Sequence, residues 1–213
     1  TGGTGLYIQA VLEGFILGAD GKDDELRKKL TEIARRQGNQ VLHNKLAGVD
    51  PKTAARLHPN DRRRVIRALE VYEISGVPLS EHIRRQREMP PKYPSVKFGL
   101  SRERQSLYHR IDGRVDMMVE SGLITEAKSL LAMGLKPNCT AMQALGYKEI
   151  IGHLVGQYDL AEAIRLLKRD TRRYAKRQFT WFKRDKSITW LDLGQMTIAE
   201  ASTRIGELYQ RDL

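Results

Sequence analysis

The chain has 213 residues, 40% of them hydrophobic, enough to bury a core of one large domain, or of one domain carrying an insertion, and this excludes a chain disordered throughout. Its 37 Lys and Arg against 26 Asp and Glu give a net charge of +11, a field that draws polyanions and speeds encounter with them, so nucleic acid and phosphorylated ligands are the expected partners. No apolar run approaches the roughly 18–20 residues of a membrane-spanning helix, no signal peptide opens the sequence, and the single cysteine, Cys139, excludes an internal disulfide, so a reducing, cytoplasmic setting is expected.

In chain order, Thr1-Gly2-Gly3-Thr4-Gly5-Leu6-Tyr7 comes first, without Met, as expected of a piece of a longer protein. Leu6 to Leu12 predicts a short helix running into a loop at Gly14 and Gly18. From Asp23 to Arg36, Leu26, Leu30 and Ile33 have helical spacing, with Asp23 as N-cap and Gly38 closing the helix. His43 to Leu57 predicts short helices broken at Asp50-Pro51. After Pro59, Val65, Leu69 and Tyr72 share one stripe, with Ile66 beside them and Arg62, Arg63 and Arg67 off it. Asn60 or Asp61 caps that helix, and Gly76 with Pro78 stops it. Ser80 to Lys92 is polar and basic and ends at Pro90-Pro91 and Pro94, the pattern of a hinge or mobile arm.

Val96 to Leu100 alternates as a strand does. A long helix is expected from about Glu103, burying Leu107, Ile111, Val115 and Met118, and Gly122 separates it from a second helix through Met133. Two more helices are predicted at about Ala141 to Val155 and Leu160 to Arg184. Then come a short strand, Ile188 to Leu193, and a terminal helix capped by Thr197. The expected fold is α/β and helix-rich. Two short strands are too few for its sheet, whose remainder is expected upstream of Gly2. The wholly helical block 23–93, flanked by glycine and proline, suits an insertion between residues 1–22 and 94–213 of one core.

Several groups could carry chemistry. Gly2-Gly3-Thr4-Gly5 leads into a helix, where backbone N–H groups and a hydroxyl meet an anion readily. The same pattern also makes an ordinary tight bend, and without Gly-Lys-Ser/Thr it is not a P-loop. Arg104 follows the strand end, the usual ligand side of an α/β sheet, and a guanidinium there can fork onto phosphate. Arg110 and Arg114 lie one helical turn apart; a solvated face salt-bridged to Glu103, Asp112 and Asp116 is the alternative. Lys168 to Arg184 holds Lys168, Arg169, Arg172, Arg173, Lys176, Arg177, Lys183 and Arg184 against Asp170, interleaved with Tyr174, Phe179, Trp181 and Phe182. A solvated face mixes signs more evenly, which favours phosphate-backbone binding. The aromatics are expected in the core, and Gln178 has an amide able to read a base edge. Arg62-Arg63-Arg64 with Arg67 forms a second cluster, so folded RNA suits the pair of patches better than a metabolite does. The 5 histidines show no metal-ligand spacing, and Cys139 is expected to be an incidental thiol.

These pieces recur in a known order: Gly2-Gly3-Thr4-Gly5-Leu6-Tyr7, His58-Pro59-Asn60-Asp61 with Arg67-Ala68-Leu69-Glu70, Arg104 with Arg110-Ile111, Leu145-Gly146-Tyr147, and Thr171-Arg172 with Ala175-Lys176-Arg177-Gln178 and Thr180-Trp181. The chain resembles the bacterial tRNA dimethylallyltransferases. The resemblance implies transfer of a dimethylallyl group from its diphosphate to the exocyclic amine of the adenine 3′ of the anticodon. It also implies a P-loop-type core, here incomplete, a helical insertion facing tRNA, nucleotide binding, and Mg2+ whose ligands are not in this chain; a monomer is the default expectation. Carried onto this sequence, Arg104 and Arg110 resemble the diphosphate-binding arginines. Thr4, Arg27, Arg63, Arg64, Arg67, Gln143, Gly146, Tyr147, Lys148, Lys176, Arg177 and Gln178 resemble tRNA-contacting residues. The family's P-loop and general base have no counterpart in these residues, so the natural protein is expected to be an enzyme and this segment alone inactive. Two other functions stand beside this one: a non-catalytic RNA-binding protein using the same patches, and a P-loop nucleotide kinase relative.

Overall fold

A computed structural model describes residues 2–14 and 21–211; Gly18, expected in the first loop, lies outside them. Contacts divide the chain into two compact units, Leu6–Ser95 and Thr1–Gly5 with Val96–Leu213. Among the described residues, no helix is long and apolar enough to cross a membrane.

The first unit is helical throughout: α1 (Gly5–Glu13, from Leu6 onward), α2 (Asp24–Gln37), α3 (Asn39–Val49), α4 (Pro51–Ala54), α5 (Arg62–Ser75) and α6 (Leu79–Glu88). Helix α2 starts where Asp23 accepts from the Leu26 N–H at 2.9 Å and ends at Gly38, φ 89°. Asp24 and Glu25 in its first turn and Arg35 and Arg36 in its last match the helix dipole. Leu30, Ala34, Leu42, Leu46, Ala54, Val65, Ile66, Ala68 and Leu69 form the core. Buried Asp50 accepts from the N–H of Thr53 (3.0 Å) and of Ser80 (2.8 Å), tying the starts of α4 and α6 together. Asp61 stands at the N-cap of α5 without a side-chain cap bond and pairs instead with Arg64 at 3.3 Å.

The expected hinge at 80–92 is corrected by α6. Arg84 and Arg85 bridge Glu81, and Arg84 also bridges Glu88, at helical i,i+3 and i,i+4 spacings; charge pairing holds as helix a stretch that composition alone presents as loop. The first unit also takes in Leu6 onward, which the sequence placed with the core. The reason is local: Leu12 O accepts from the Tyr93 N–H (3.2 Å) and Glu13 O from Gln86 Nε2 (3.1 Å).

In the second unit, β1 (Lys97–Ser101) pairs in parallel with β2 (Ile188–Asp192), Lys97 opposite Ile188 and Ser101 opposite Asp192. The two predicted strands thus pair with each other directly. Gly99 permits this closeness, since a Cβ there would stand 2.7 Å from the Trp190 ring. Helices α7 (Arg104–Glu120), α8 (Leu123–Ala132), α9 (Tyr147–Leu154), α10 (Leu160–Phe182) and α11 (Ile198–Arg211) complete the unit. Val115, Leu123, Ala127, Ile150, Ala163 and Leu167 form its core. The helix expected over 141–155 is divided: a 3₁₀ turn at Ala141–Gln143 ends, and α9 restarts after Gly146, whose φ of 105° breaks the run.

Candidate diphosphate and nucleic-acid site

Within the second unit, Arg104 opens α7 just beyond the carboxyl end of β1. The Glu103 carboxylate caps the helix, accepting from the Ser106 N–H at 2.8 Å. Arg104 Nε donates to Tyr108 Oη (3.3 Å), and its guanidinium lies 5.3 Å from the centre of that ring. The Arg172 guanidinium stands 5.9 Å from the same ring, so two cations bracket one tyrosine. Arg172 Nη1 donates to both Asp112 oxygens at 2.6 Å, and Lys168 pairs with Asp116 at 2.6 Å. Asp112 and Asp116, which could have neutralised α7, are therefore engaged by α10. Arg104, Arg110 and Arg114 are exposed, and none forms a salt bridge among the described residues. Arg104 and Arg110 sit on one helix about 9 Å apart along its axis.

The basic run on α10 divides in two. Lys168 and Arg172 are paired to α7, while Arg169 and Arg173 both pair with Asp170, at 2.8 and 3.3 Å. Lys176, Arg177, Lys183 and Arg184 are exposed and form no salt bridge among the described residues. The aromatics expected in the core are not there: Tyr174, Phe179 and Trp181 are 38%, 42% and 43% exposed. Only the first half of α10 lies on the core, through Ala163 and Leu167. Phe179 meets Trp190 edge to face at 5.3 Å, Lys183 lies 4.6 Å from the Phe179 ring, and Arg177 lies 5.7 Å from the Tyr174 ring.

Other expected contacts are placed as follows. Gln178 Nε2 donates to Gly3 O at 2.9 Å, and Thr4 beside it is exposed. Gln143 donates to Pro137 O (2.9 Å). The Gly146 N–H donates to the buried Glu149 (3.0 Å). Tyr147 Oη donates to Glu126 (2.8 Å), a bond that raises the phenol's pKa above its ordinary value. Lys148 is exposed. In this stretch, Lys148 and the exposed side of Gln143 are what a phosphate can reach.

In the helical unit, Glu70 is fully buried, and Arg27 and Arg67 converge on it. Arg27 supplies two bonds, at 2.7 and 2.8 Å, and Arg67 one at 2.7 Å; the Asp23 N–H adds a fourth at 3.0 Å. Arg67 also donates to Gly21 O (3.2 Å). Arg63 is exposed, and Arg64 holds Asp61. No role for Glu70, which stands in the Arg67-Ala68-Leu69-Glu70 motif, or for Tyr108 is assigned from the sequence. The i,i+3 spacing of Arg67 and Glu70 and the i,i+4 spacing of Arg104 and Tyr108 were the available signals.

The sequence pattern of the IPP transferase family matches residues 1–185. The chain belongs to the IPP transferase family. Among similar members, the tRNA dimethylallyltransferase of Halothermothrix orenii is 53% identical over 192 residues, covering 90% of this chain and 58% of that protein. That of Desulforudis audaxviator is 55% identical over 192 residues, covering 90% and 61%. The chain thus spans about three fifths of the length of these IPP transferases. Among solved structures, the full-length tRNA isopentenylpyrophosphate transferase of Bacillus halodurans superposes with a TM-score of 0.63 at 43% identity, covering 97% of this chain and 63% of its own. A eukaryotic dimethylallyltransferase described as acting on tRNA gives 0.75 at 28% identity, covering 99% and 56%.

The resemblance implies Mg2+ held by residues outside this chain; among the described residues, no group of three His, Cys, Asp or Glu side chains could hold a metal.

Proposed function

We propose that the protein transfers a dimethylallyl group from dimethylallyl diphosphate to the exocyclic amine of an adenine 3′ of the anticodon in tRNA. A C–N bond forms to the amine, the allylic C–O bond breaks, diphosphate leaves, and the amine loses a proton to a base outside these residues. The observation that carries this reading is Arg104. It stands beyond the end of β1, steered by Tyr108, with Asp112 and Asp116 already engaged by Arg172 and Lys168. An oriented guanidinium that forms no salt bridge among the described residues suits a leaving group on which negative charge develops. Lys176, Arg177, Lys183 and Arg184, without salt bridges among the described residues, supply sequence-independent attraction for the RNA backbone. An adenine amine inside a stack is inaccessible, so the base is drawn out before it reacts.

The test is mass spectrometry of tRNA incubated with dimethylallyl diphosphate and the full-length natural protein, with this 213-residue segment in parallel. A dimethylallyl mass gain with the full-length protein, and none with the segment, is expected. No gain with either, together with salt-sensitive tRNA binding, would replace this reading by a non-catalytic RNA-binding one.

A further inference from the structure

Two glycines of the N-terminal loop are pressed against α10, and they flank Thr4. The Gly3 carbonyl accepts from Gln178 Nε2 at 2.9 Å. A carbonyl can only accept, so the amide presents its NH2 here. A Cβ on Gly3 would collide with that same amide nitrogen. A Cβ on Gly5 would collide with Cδ1 and Nε1 of the Trp181 indole and stand 2.9 Å from Cε2. Gln178 and Trp181 are three residues apart, on one face of α10. Gly3 and Gly5 are two apart in the loop. The spacings match, so the helix grips the loop at two points, and exposed Thr4 lies between them.

We infer that Gln178 and Trp181 are positioning residues that fix Thr4 for contact with the RNA. On this reading Gln178 serves the loop rather than a base edge, since one N–H of its amide is committed to the Gly3 carbonyl. This inference rests on the transferase reading, because it takes Thr4 as a residue that touches the substrate RNA. The glycines serve closeness, since any side chain at Gly3 displaces the amide that holds the loop. The rim aromatic Trp181 acts in the same way, covering Gly5 while the residue stays 43% exposed.

The experiment uses the full-length protein with Gln178→Ala, Gly3→Ala, Thr4→Ala and the Gln178→Ala/Thr4→Ala double variant. Affinity for an anticodon stem-loop RNA and kcat/KM for dimethylallyl transfer are measured, with melting temperature as the folding control. Positioning predicts that Gln178→Ala and Gly3→Ala lower kcat/KM alike, by up to roughly 10²-fold, as a misplacement of about 1 Å does. It also predicts that Gln178→Ala costs little more once Thr4 is already Ala, because coupled residues are not additive. Base reading predicts instead independent, multiplying losses for Gln178 and Thr4, and that result overturns the proposal; a near-silent Gly3→Ala overturns it too, because the clamp needs Gly3 bare. Should the wild-type protein add no dimethylallyl mass, the transferase reading fails. The same cycle measured on RNA affinity then decides the clamp: coupled losses retain it, and multiplying losses overturn it.

Discussion

Arg27 forks onto the buried carboxylate of Glu70, Nε to Oε1 at 2.7 Å and Nη2 to Oε2 at 2.8 Å, while Arg67, one turn earlier on α5, reaches Oε2 at 2.7 Å. Burial by itself raises the Glu70 pKa. The bonds from Arg27, Arg67 and the Asp23 N–H outweigh it and lower the value from 4.5 to about 2. The folded pKa lies below the unfolded one, so the ionised carboxylate contributes stability that is full above pH 4.5 and is lost as pH falls towards 2. The contribution is about 3 kcal/mol for a fully buried group. Glu70→Gln leaves two guanidiniums short of a counter-charge and is expected to destabilise by about 3 kcal/mol, the low end for breaking a buried pair, since both arginines retain some solvent. Urea unfolding at pH 7 and at pH 3 measures both effects: the difference between wild type and Glu70→Gln should shrink at the lower pH. A constant difference would remove the ion pair as its cause.

Arg104 is held by an aromatic ring and a phenol oxygen rather than by a carboxylate, which leaves its charge for a ligand. Arg104→Ala is expected to lower kcat by roughly 10²–10³-fold, the scale of losing one transition-state donor, with tRNA affinity nearly unchanged. Arg104→Lys is expected to recover only part, because an ammonium cannot fork onto phosphate oxygens. Unchanged turnover in Arg104→Ala would sink the diphosphate assignment. Steady-state kinetics with tRNA and dimethylallyl diphosphate varied separately reads it.

How much of this was visible in the sequence depends on the kind of interaction. Periodicity and caps exposed α2, from Asp23 to Gly38, and β1 and β2, because those patterns are local. Helix α6 was missed since its stability comes from Glu81 and Glu88 pairing with Arg84 and Arg85, and a basic, proline-flanked composition masks such pairing. The cations of α10 looked alike in the sequence. Only tertiary packing shows that Asp112 and Asp116 neutralise Arg172 and Lys168 and leave Lys176, Arg177, Lys183 and Arg184 unpaired among the described residues. Gln178 stands out in the sequence for its donor and acceptor atoms. Its partner Gly3 is 175 positions away, and no local pattern reveals that.

The division of α10 carries its own prediction. Each of Lys176, Arg177, Lys183 and Arg184, when changed to Gln, is expected to weaken tRNA binding evenly across sequences and to reduce the slope of log K against log salt by about 1 if it meets a phosphate. Lys168→Gln and Arg172→Gln are expected to leave that slope nearly unchanged and to lower stability instead, by removing links between α7 and α10 that are partly shielded from solvent. Filter binding over a salt series, beside thermal melts, separates the two groups. Equal slopes across all six variants would mean that the pairing to α7 gives way when RNA binds.

Two glycines inside helices should respond to the same substitution with opposite signs. Gly113 in α7 is exposed, and a Cβ there would have nothing within 4 Å. Gly113→Ala therefore gains helix propensity with no steric cost and is expected to stabilise by about 0.5–1 kcal/mol. Gly152 in α9 is buried, and a Cβ there would collide with the Tyr158 hydroxyl and stand 3.0 Å from its Cε1. The tyrosine would have to move, giving up the bond its hydroxyl donates to Glu149 O at 3.0 Å. Overpacking of about 1–3 kcal/mol together with a lost hydrogen bond of about 1 kcal/mol exceeds the propensity gain, so Gly152→Ala is expected to destabilise. Combining Gly152→Ala with Tyr158→Leu frees the space and should recover part of the loss, giving a measurable coupling between the two sites. Additive losses in that cycle, measured by urea unfolding, would mean that α9 tolerates the methyl without moving Tyr158.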